Sequence, residues 1–177
     1  MWKNGVITDL HGLGWENFPL AINNAEQIVG YYRNVANIPR AFIWENGVMS
    51  DLGTLAGTMS IANGINSSGQ VVGYGVSATA GYYRAFIWQD GVMTELGTLG
   101  GCCSYGRGIN AAGQVVGEST TRDGESHGFL WDKGVMTDLG VIGFGFAKAI
   151  NARGAIVGSR STGLNDPYKL ATLWTVK

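Results

Sequence analysis

The chain has 177 residues, 12 Lys and Arg against 13 Asp and Glu, a net charge of −1 and 29 glycines. A near-neutral chain with no Lys/Arg cluster speaks against a nucleic-acid-binding surface, and no apolar run approaches the roughly 18 residues of a membrane-spanning helix. Apolar residues at 45% speak against disorder, and glycines with no three-residue period speak against collagen.

The first strand signal is residues 6–10 (VITDL), directly after Asn4-Gly5. The clearest set follows further on: residues 60–66 (SIANGIN), 70–74 (QVVGY), 84–88 (RAFIW) and 92–96 (VMTEL). Each is a short apolar or β-branched run bounded by turn residues. The last is residues 170–174 (LATLW). No segment holds a 3.6-residue period, so almost no helix is predicted. Asn66-Ser67-Ser68-Gly69 and Asn110-Ala111-Ala112-Gly113 read as type I turns finished by a left-handed glycine. The first unit carries Glu26 where that glycine is expected. Asn4-Gly5, Asn46-Gly47, Asp90-Gly91 and Lys133-Gly134 read as two-residue hairpin turns with positive φ.

These signals repeat. An Ile-Asn pair ends at Asn23, Asn66, Asn110 and Asn151, at steps of 43, 44 and 41. Trp recurs at Trp44, Trp88, Trp131 and Trp174, and an acid before Leu at Asp9, Asp51, Glu95 and Asp138. Four short strands in a unit of this length form a propeller blade, whose two apolar faces need neighbouring blades. The predicted fold is therefore all-β: a four-bladed β-propeller of four-stranded antiparallel blades in one domain, residues 1–177. The units are 11–52, 53–96, 97–139, and 140–177 with 1–10. The N-terminal strand is expected to complete the last blade beside residues 170–174 and close the ring. The alternative is a larger propeller built from two chains.

Residues 62–73 and 84–101 read A-x-x-I-N-x-x-G-Q-V-V-G and R-A-F-x-W-x-x-G-x-M-x-E-L-G-T-L-G-G. This pattern resembles the HAF repeat of many bacterial extracellular proteins and covers essentially the whole chain. The last unit departs from it, with Thr172 in place of the expected Phe. The resemblance implies a repeat-built secreted or surface protein and no particular reaction. Met1 is followed by Trp2-Lys3-Asn4-Gly5, so no secretory leader is read at this start.

The repeated residues read as structure. In a tight hairpin Trp44 faces Met49, Trp88 faces Met93 and Trp131 faces Met136, which favours packing. The four acids lie on outermost strands, too far apart to converge within the roughly 2.5 Å of oxygen ligation, so no metal site is expected. Arg40, Arg84 and His127 are placed to pair with Asp51, Glu95 and Asp138. Adjacent Cys102 and Cys103 rarely bridge and read as small fillers in a Gly-rich loop. His11 and His127 have no partner set, and no nucleophile elbow or metal-protease motif occurs. No catalytic residue, metal or cofactor is predicted. A glycan hydrolase or lyase using His127 or Asp123 is the alternative, and a self-associating structural repeat is a second.

The irregular positions carry the functional signal. Tyr31, Tyr32, Tyr74, Tyr82, Tyr83 and Tyr168 fall in the segments that run from the end of the second strand to the third strand of their units. Three residues before each Ile-Asn asparagine stand Leu20, Asn63, Arg107 and Lys148, each followed by Ala or Gly. The small residues let four inner strands approach an axis, and the varied ones line the channel mouth. Tyrosine with polar neighbours is a binding composition. The reading is a non-catalytic binding or scaffold propeller. Tyr31, Tyr32, Tyr74, Tyr82, Tyr83, Tyr168, Asn63, Arg107 and Lys148 would face a glycan or protein ligand. The chain is expected as a monomer or homodimer.

Overall fold

A computed structural model of the chain describes all residues except 1, 4, 8, 11, 141–143, 162–168 and 176–177. Every element among the described residues is a β-strand. β1 (Trp2–Lys3) and β2 (Val6–Ile7) form a small ladder of their own. Blade 1 is β3 (Glu16–Ile22), β4 (Ile28–Arg33), β5 (Pro39–Glu45) and β6 (Val48–Asp51). Blade 2 is β7 (Ala56–Ile65), β8 (Val71–Ser77), β9 (Tyr83–Gln89) and β10 (Val92–Glu95). Blade 3 is β11 (Gly100–Ile109), β12 (Val115–Thr121), β13 (Ser126–Asp132) and β14 (Val135–Asp138). Blade 4 has three strands, β15 (Gly145–Ile150), β16 (Ala155–Ser161) and β17 (Lys169–Thr175). Each sheet is an antiparallel meander in sequence order.

Turn chemistry sets these meanders. Asn66 Oδ1 accepts the N–H groups of Ser68 and Gln70, both at 3.0 Å. Asn23, Asn110 and Asn151 bond their own turns in the same way. The fourth turn residue is left-handed: Gly69, Gly113 and Gly154 at φ 77°, 82° and 81°, and Glu26 at 60°. Glu26 thus adopts the glycine conformation at a cost of roughly 1 kcal/mol. In the other turn Asn46, Asp90 and Lys133 also have positive φ, each followed by a positive-φ glycine. That turn fixes the register, so Trp44 pairs with Met49, Trp88 with Met93 and Trp131 with Met136.

Blades meet face to face. Val29, Ala41, Ile43 and Leu52 pack on Ala62, Val71 and Phe86 between blades 1 and 2. Val72, Ala85 and Leu96 meet Val115 and Phe129 at the next joint, and Val116 and Leu130 meet Ala147 and Ile156 at the third. Two buried hydroxyls staple the first two joints. Ser60 Oγ accepts the Ala41 N–H at 3.0 Å and donates to the Gly53 carbonyl at 2.6 Å. Ser104 Oγ does the same for Ala85 at 2.9 Å and Gly97 at 2.6 Å. A third link runs along one end of the molecule. Asn23 Nδ2 donates to the Asn66 carbonyl at 2.9 Å, Asn66 to Asn110 at 3.0 Å, and Asn110 to Asn151 at 3.2 Å.

Three expectations are corrected. Wrap-around closure is not formed among the described residues, because β2 pairs with β1 rather than β17. Trp2 stands opposite Ile7 and Lys3 opposite Val6, the register of Trp44 with Met49 and Glu45 with Val48. β1 and β2 are near neighbours in the chain and pair with each other, and the sheet of β15, β16 and β17 ends at β17. Cys102 and Cys103 lie on strand β11 rather than in a loop, and Cys102 is exposed. Tyr31 and Tyr32 sit in the second strand of blade 1 and Tyr83 in a third strand, while Tyr74 is in the second strand of blade 2 as the run 70–74 predicts, so only Tyr82 of the described set is in a loop.

Candidate functional site

The varied position of each inner strand is a β-bulge. The register shifts between Pro19 and Ala21, Ala62 and Gly64, Gly106 and Gly108, and Ala147 and Ala149. Leu20, Asn63, Arg107 and Lys148 are therefore the extra residues, and a bulge re-aims its side chain out of the ladder. Their fates differ. Asn63 Nδ2 donates to the Gly106 carbonyl at 2.7 Å and so serves the joint between blades 2 and 3. Arg107 and Lys148 come together on one depression of 280 Å³, with Glu118 and Phe146.

Glu118 and Phe146 also line a second depression of 340 Å³, with Phe144, Ser126, Ser159 and Lys169. The two form one groove over the joint of blades 3 and 4. Arg107 is ion-paired with Glu118, and its guanidinium lies 5.7 Å from the Tyr105 ring centre. Lys169 Nζ lies 5.7 Å from the Phe146 ring centre. Ser159 Oγ is buried and has no hydrogen-bond partner among the described residues. Strand pairing explains the assembly: Tyr105 is opposite Glu118 and Phe146 opposite Ser159, so each pair shares a face of its blade.

A tyrosine cluster borders this groove. Tyr74 is 5.0 Å from Tyr105 and 5.8 Å from Tyr83, both edge-on, and Tyr83 is 5.6 Å from Tyr105. Burial raises the Tyr74 phenol above its ordinary pKa. Burial, with the charges of Cys103 and Glu118, pushes Tyr105 up to about 12. Both hydroxyls stay protonated donors at neutral pH.

Other sequence-predicted residues are elsewhere or otherwise engaged. Tyr31 stacks on Phe18 at 4.6 Å. Tyr32 donates to Asp51 at 2.6 Å, and burial plus this bond pushes its pKa up to about 12. Burial disfavours the Asp51 carboxylate, but bonds from Arg40, Tyr32 and the Gly53 N–H outweigh it and lower its pKa. Tyr82 is exposed, and Tyr168 lies outside the described residues. A broader depression of 670 Å³ on blade 1 is lined by Trp15, Arg33, Asn34 and Asn37.

Tyr105, Glu118, Phe146 and Lys169 were missed in the sequence. Tyr105 and Phe146 stand two residues before the bulge, where Phe18 and Ile61 also stand, so they read as ordinary core. The expected ion pairs do form: Arg40 with Asp51 at 2.9 Å, Arg84 with Glu95 at 3.0 Å, and His127 with Asp138 at 2.8 Å. His127 also faces Glu125 at 3.3 Å. Both ring nitrogens are engaged, which leaves neither to act as a base. Among the described residues no three His, Cys, Asp or Glu side chains gather as a metal site.

No family model and no curated protein matches the chain. Among solved structures it is similar to TolB from Acinetobacter baumannii, with a TM-score of 0.66 over 89% of this chain at 14% identity. The chain spans 40% of the TolB chain. A fucose lectin from Kordia zhangzhouensis in complex with methyl-fucoside aligns with a TM-score of 0.38 and 17% identity, over 66% of this chain and 93% of the lectin. The first likeness shows a TolB-like β-propeller fold.

Proposed function

We propose that the chain is a non-catalytic binding propeller whose groove between blades 3 and 4 holds an acidic glycan. The observation that carries this reading is the gathering of Lys148, Lys169 and Phe146 around these openings, where Arg107 is already paired with Glu118. Charge narrows the ligand further. Arg107 already neutralises Glu118, so Lys148 and Lys169 leave the groove positive and suited to a carboxylate. Phe146 and Phe144 supply apolar area at low entropic cost for the C–H face of a sugar ring. The HAF-repeat resemblance supports an extracellular setting for such a module.

Calorimetric titration with uronic-acid oligosaccharides, and with neutral oligosaccharides of equal length, tests this. Saturable binding of the acidic series is expected, weakened by salt and at least about tenfold by Phe146→Ala or by Lys148→Ala with Lys169→Ala. Absence of saturable binding, or unchanged affinity in those variants, overturns the assignment.

A further inference from the structure

We propose that Cys102 and Cys103 form a dithiol site that captures a trivalent arsenical, of the form R–As(OH)2, between their two sulfurs. The pair lies in β11 of blade 3, a blade with neighbours on both sides. The inference is independent of the glycan reading.

A regular strand would hold these two side chains apart, because successive residues point to opposite faces. Here the ladder is broken. Gly100 pairs with Thr121 and Ser104 with Ser119, so Gly101, Cys102 and Cys103 together stand opposite Thr120 alone. Blade 2 has the same break, with Gly57, Thr58 and Met59 opposite Val76. The bulge is thus a device of the repeat, and blade 3 fills it with thiols where blade 2 carries a hydroxyl and a thioether. A bulge re-aims the side chains it carries. The Cys103 thiol hydrogen-bonds Cys102, so the two sulfurs meet. Cys102 is exposed and Cys103 half-buried, which opens the pair to solvent.

The backbone under the pair is held in place. The Cys103 N–H donates to Thr120 Oγ1 at 2.8 Å, and Ser119 Oγ donates to the Cys103 carbonyl at 3.1 Å. Arg84 donates to the Cys102 carbonyl and pairs with Glu95 at 3.0 Å. Thr120 Oγ1 lies 3.8 Å from Cys102 Sγ. The bonds from the Cys103 thiol and Thr120 lower the Cys102 pKa, while burial pushes Cys103 up to about 11. The thiolate is the attacking form, so Cys102 enters first and Cys103 second.

Soft sulfur ligands select soft acceptors. A direct disulfide between adjacent cysteines closes a small ring that strains the planar peptide inside it. An arsenic atom between the sulfurs enlarges that ring. Two S–As bonds form and two As–O bonds break, and each thiol proton leaves with one hydroxyl as water. Arsenic stays trivalent and neither sulfur is oxidised, so the step needs no oxidant. Two thiols complete the site, because arsenic keeps its third bond to R. A structural zinc takes four protein ligands, and among the described residues no third His, Cys, Asp or Glu joins the pair.

Native mass spectrometry of the full chain, exposed to phenylarsine oxide and then gel-filtered, tests the proposal. One arsenic per chain is expected, retained in excess 2-mercaptoethanol and released by dithiothreitol. Cys102→Ser and Cys103→Ser should each lose the adduct to 2-mercaptoethanol. Cys102 is exposed, so its variant should keep the wild-type circular dichroism and suffices if Cys103→Ser fails to fold. A wild type that takes up no arsenic overturns the proposal. So does a folded single variant that retains the adduct, or an untreated chain in which thiol titration finds both sulfurs already bridged.

Discussion

Removing Asn66 asks whether the asparagine relay holds blades together or merely finishes turns. Asn66 is 5% exposed and makes four bonds. Its Oδ1 takes the Ser68 and Gln70 N–H groups, and its Nδ2 reaches Gln70 Oε1 at 2.7 Å and the Asn110 carbonyl at 3.0 Å. Ser68 is exposed, so its N–H returns to water in Asn66→Ala at little loss. The half-buried Gln70 N–H and the bond to blade 3 are each worth about 1 kcal/mol, so the variant should lose about 2–3 kcal/mol. Asn151→Ala is the internal control. It is exposed, its side chain bonds only its own turn among the described residues, and the variant should lose about 0.5–1 kcal/mol. Urea unfolding with unchanged m-values reads the difference. Asn66→Asp sharpens it by keeping the turn acceptor while aiming a carboxylate oxygen at two acceptors. Its folded pKa must rise, so its deficit should shrink as pH falls through that raised value. If Asn66→Ala loses no more than Asn151→Ala, the relay contributes nothing between blades.

The remaining predictions concern other joints and turns. Burial opposes His127 protonation, but the bonds and charges of Asp138 and Glu125 outweigh it and raise its pKa above the ordinary 6.5. That stabilisation is fully present below 6.5 and lost as pH rises through the folded value. Thermal melts across this range should show the loss in wild type and not in His127→Arg. Ser104→Ala leaves the Ala85 N–H and Gly97 carbonyl unpaired at a buried joint, so it should cost about 2 kcal/mol, or about 4–8 °C in melting temperature. Gly73→Ala drives a Cβ into the Ile61 carbonyl oxygen and to 2.8 Å from the Phe86 ring, and its circular dichroism should show no cooperative native state under wild-type conditions.

What could be read in advance was local. Asn46-Gly47 and its equivalents set two-residue hairpins, and those turns alone determine which Met faces which Trp. Ring closure is non-local. It depends on competition between β17 and a nearer partner for β2, and nothing in residues 170–174 reports that competition. The tyrosines show a second limit. Tyr31 and Tyr32 are neighbours on one strand, so their side chains point to opposite faces. One stacks on Phe18 and the other bonds Asp51, although composition treats them alike. The varied inner position was visible as a large residue beside a small one. That it is a bulge follows only from the pairing of both strands.

Where a repeat makes every joint alike, a cleft needs a joint that is made differently. The joint between blades 3 and 4 is that place. Blades 2 and 3 put Ser60 and Ser104 against the preceding blade, while blade 4 has Gly145 at the same position. The preceding blade has Gly128 where Ala41 and Ala85 stand, and a Cβ there would come within 3.2 Å of the Ala147 nitrogen. The backbones therefore approach closely at Gly128, and no serine hydroxyl bridges the two blades there. Gly145 lines the 340 Å³ depression. The same joint brings the bulge residues Arg107 and Lys148 to one opening. Asn63 is consumed by its bond to Gly106, and Leu20 sits by the uncovered hollow of blade 1. The groove thus lies where two glycines stand in place of the staple, beside two bulges, of which one carries Arg107 paired with Glu118 and the other Lys148.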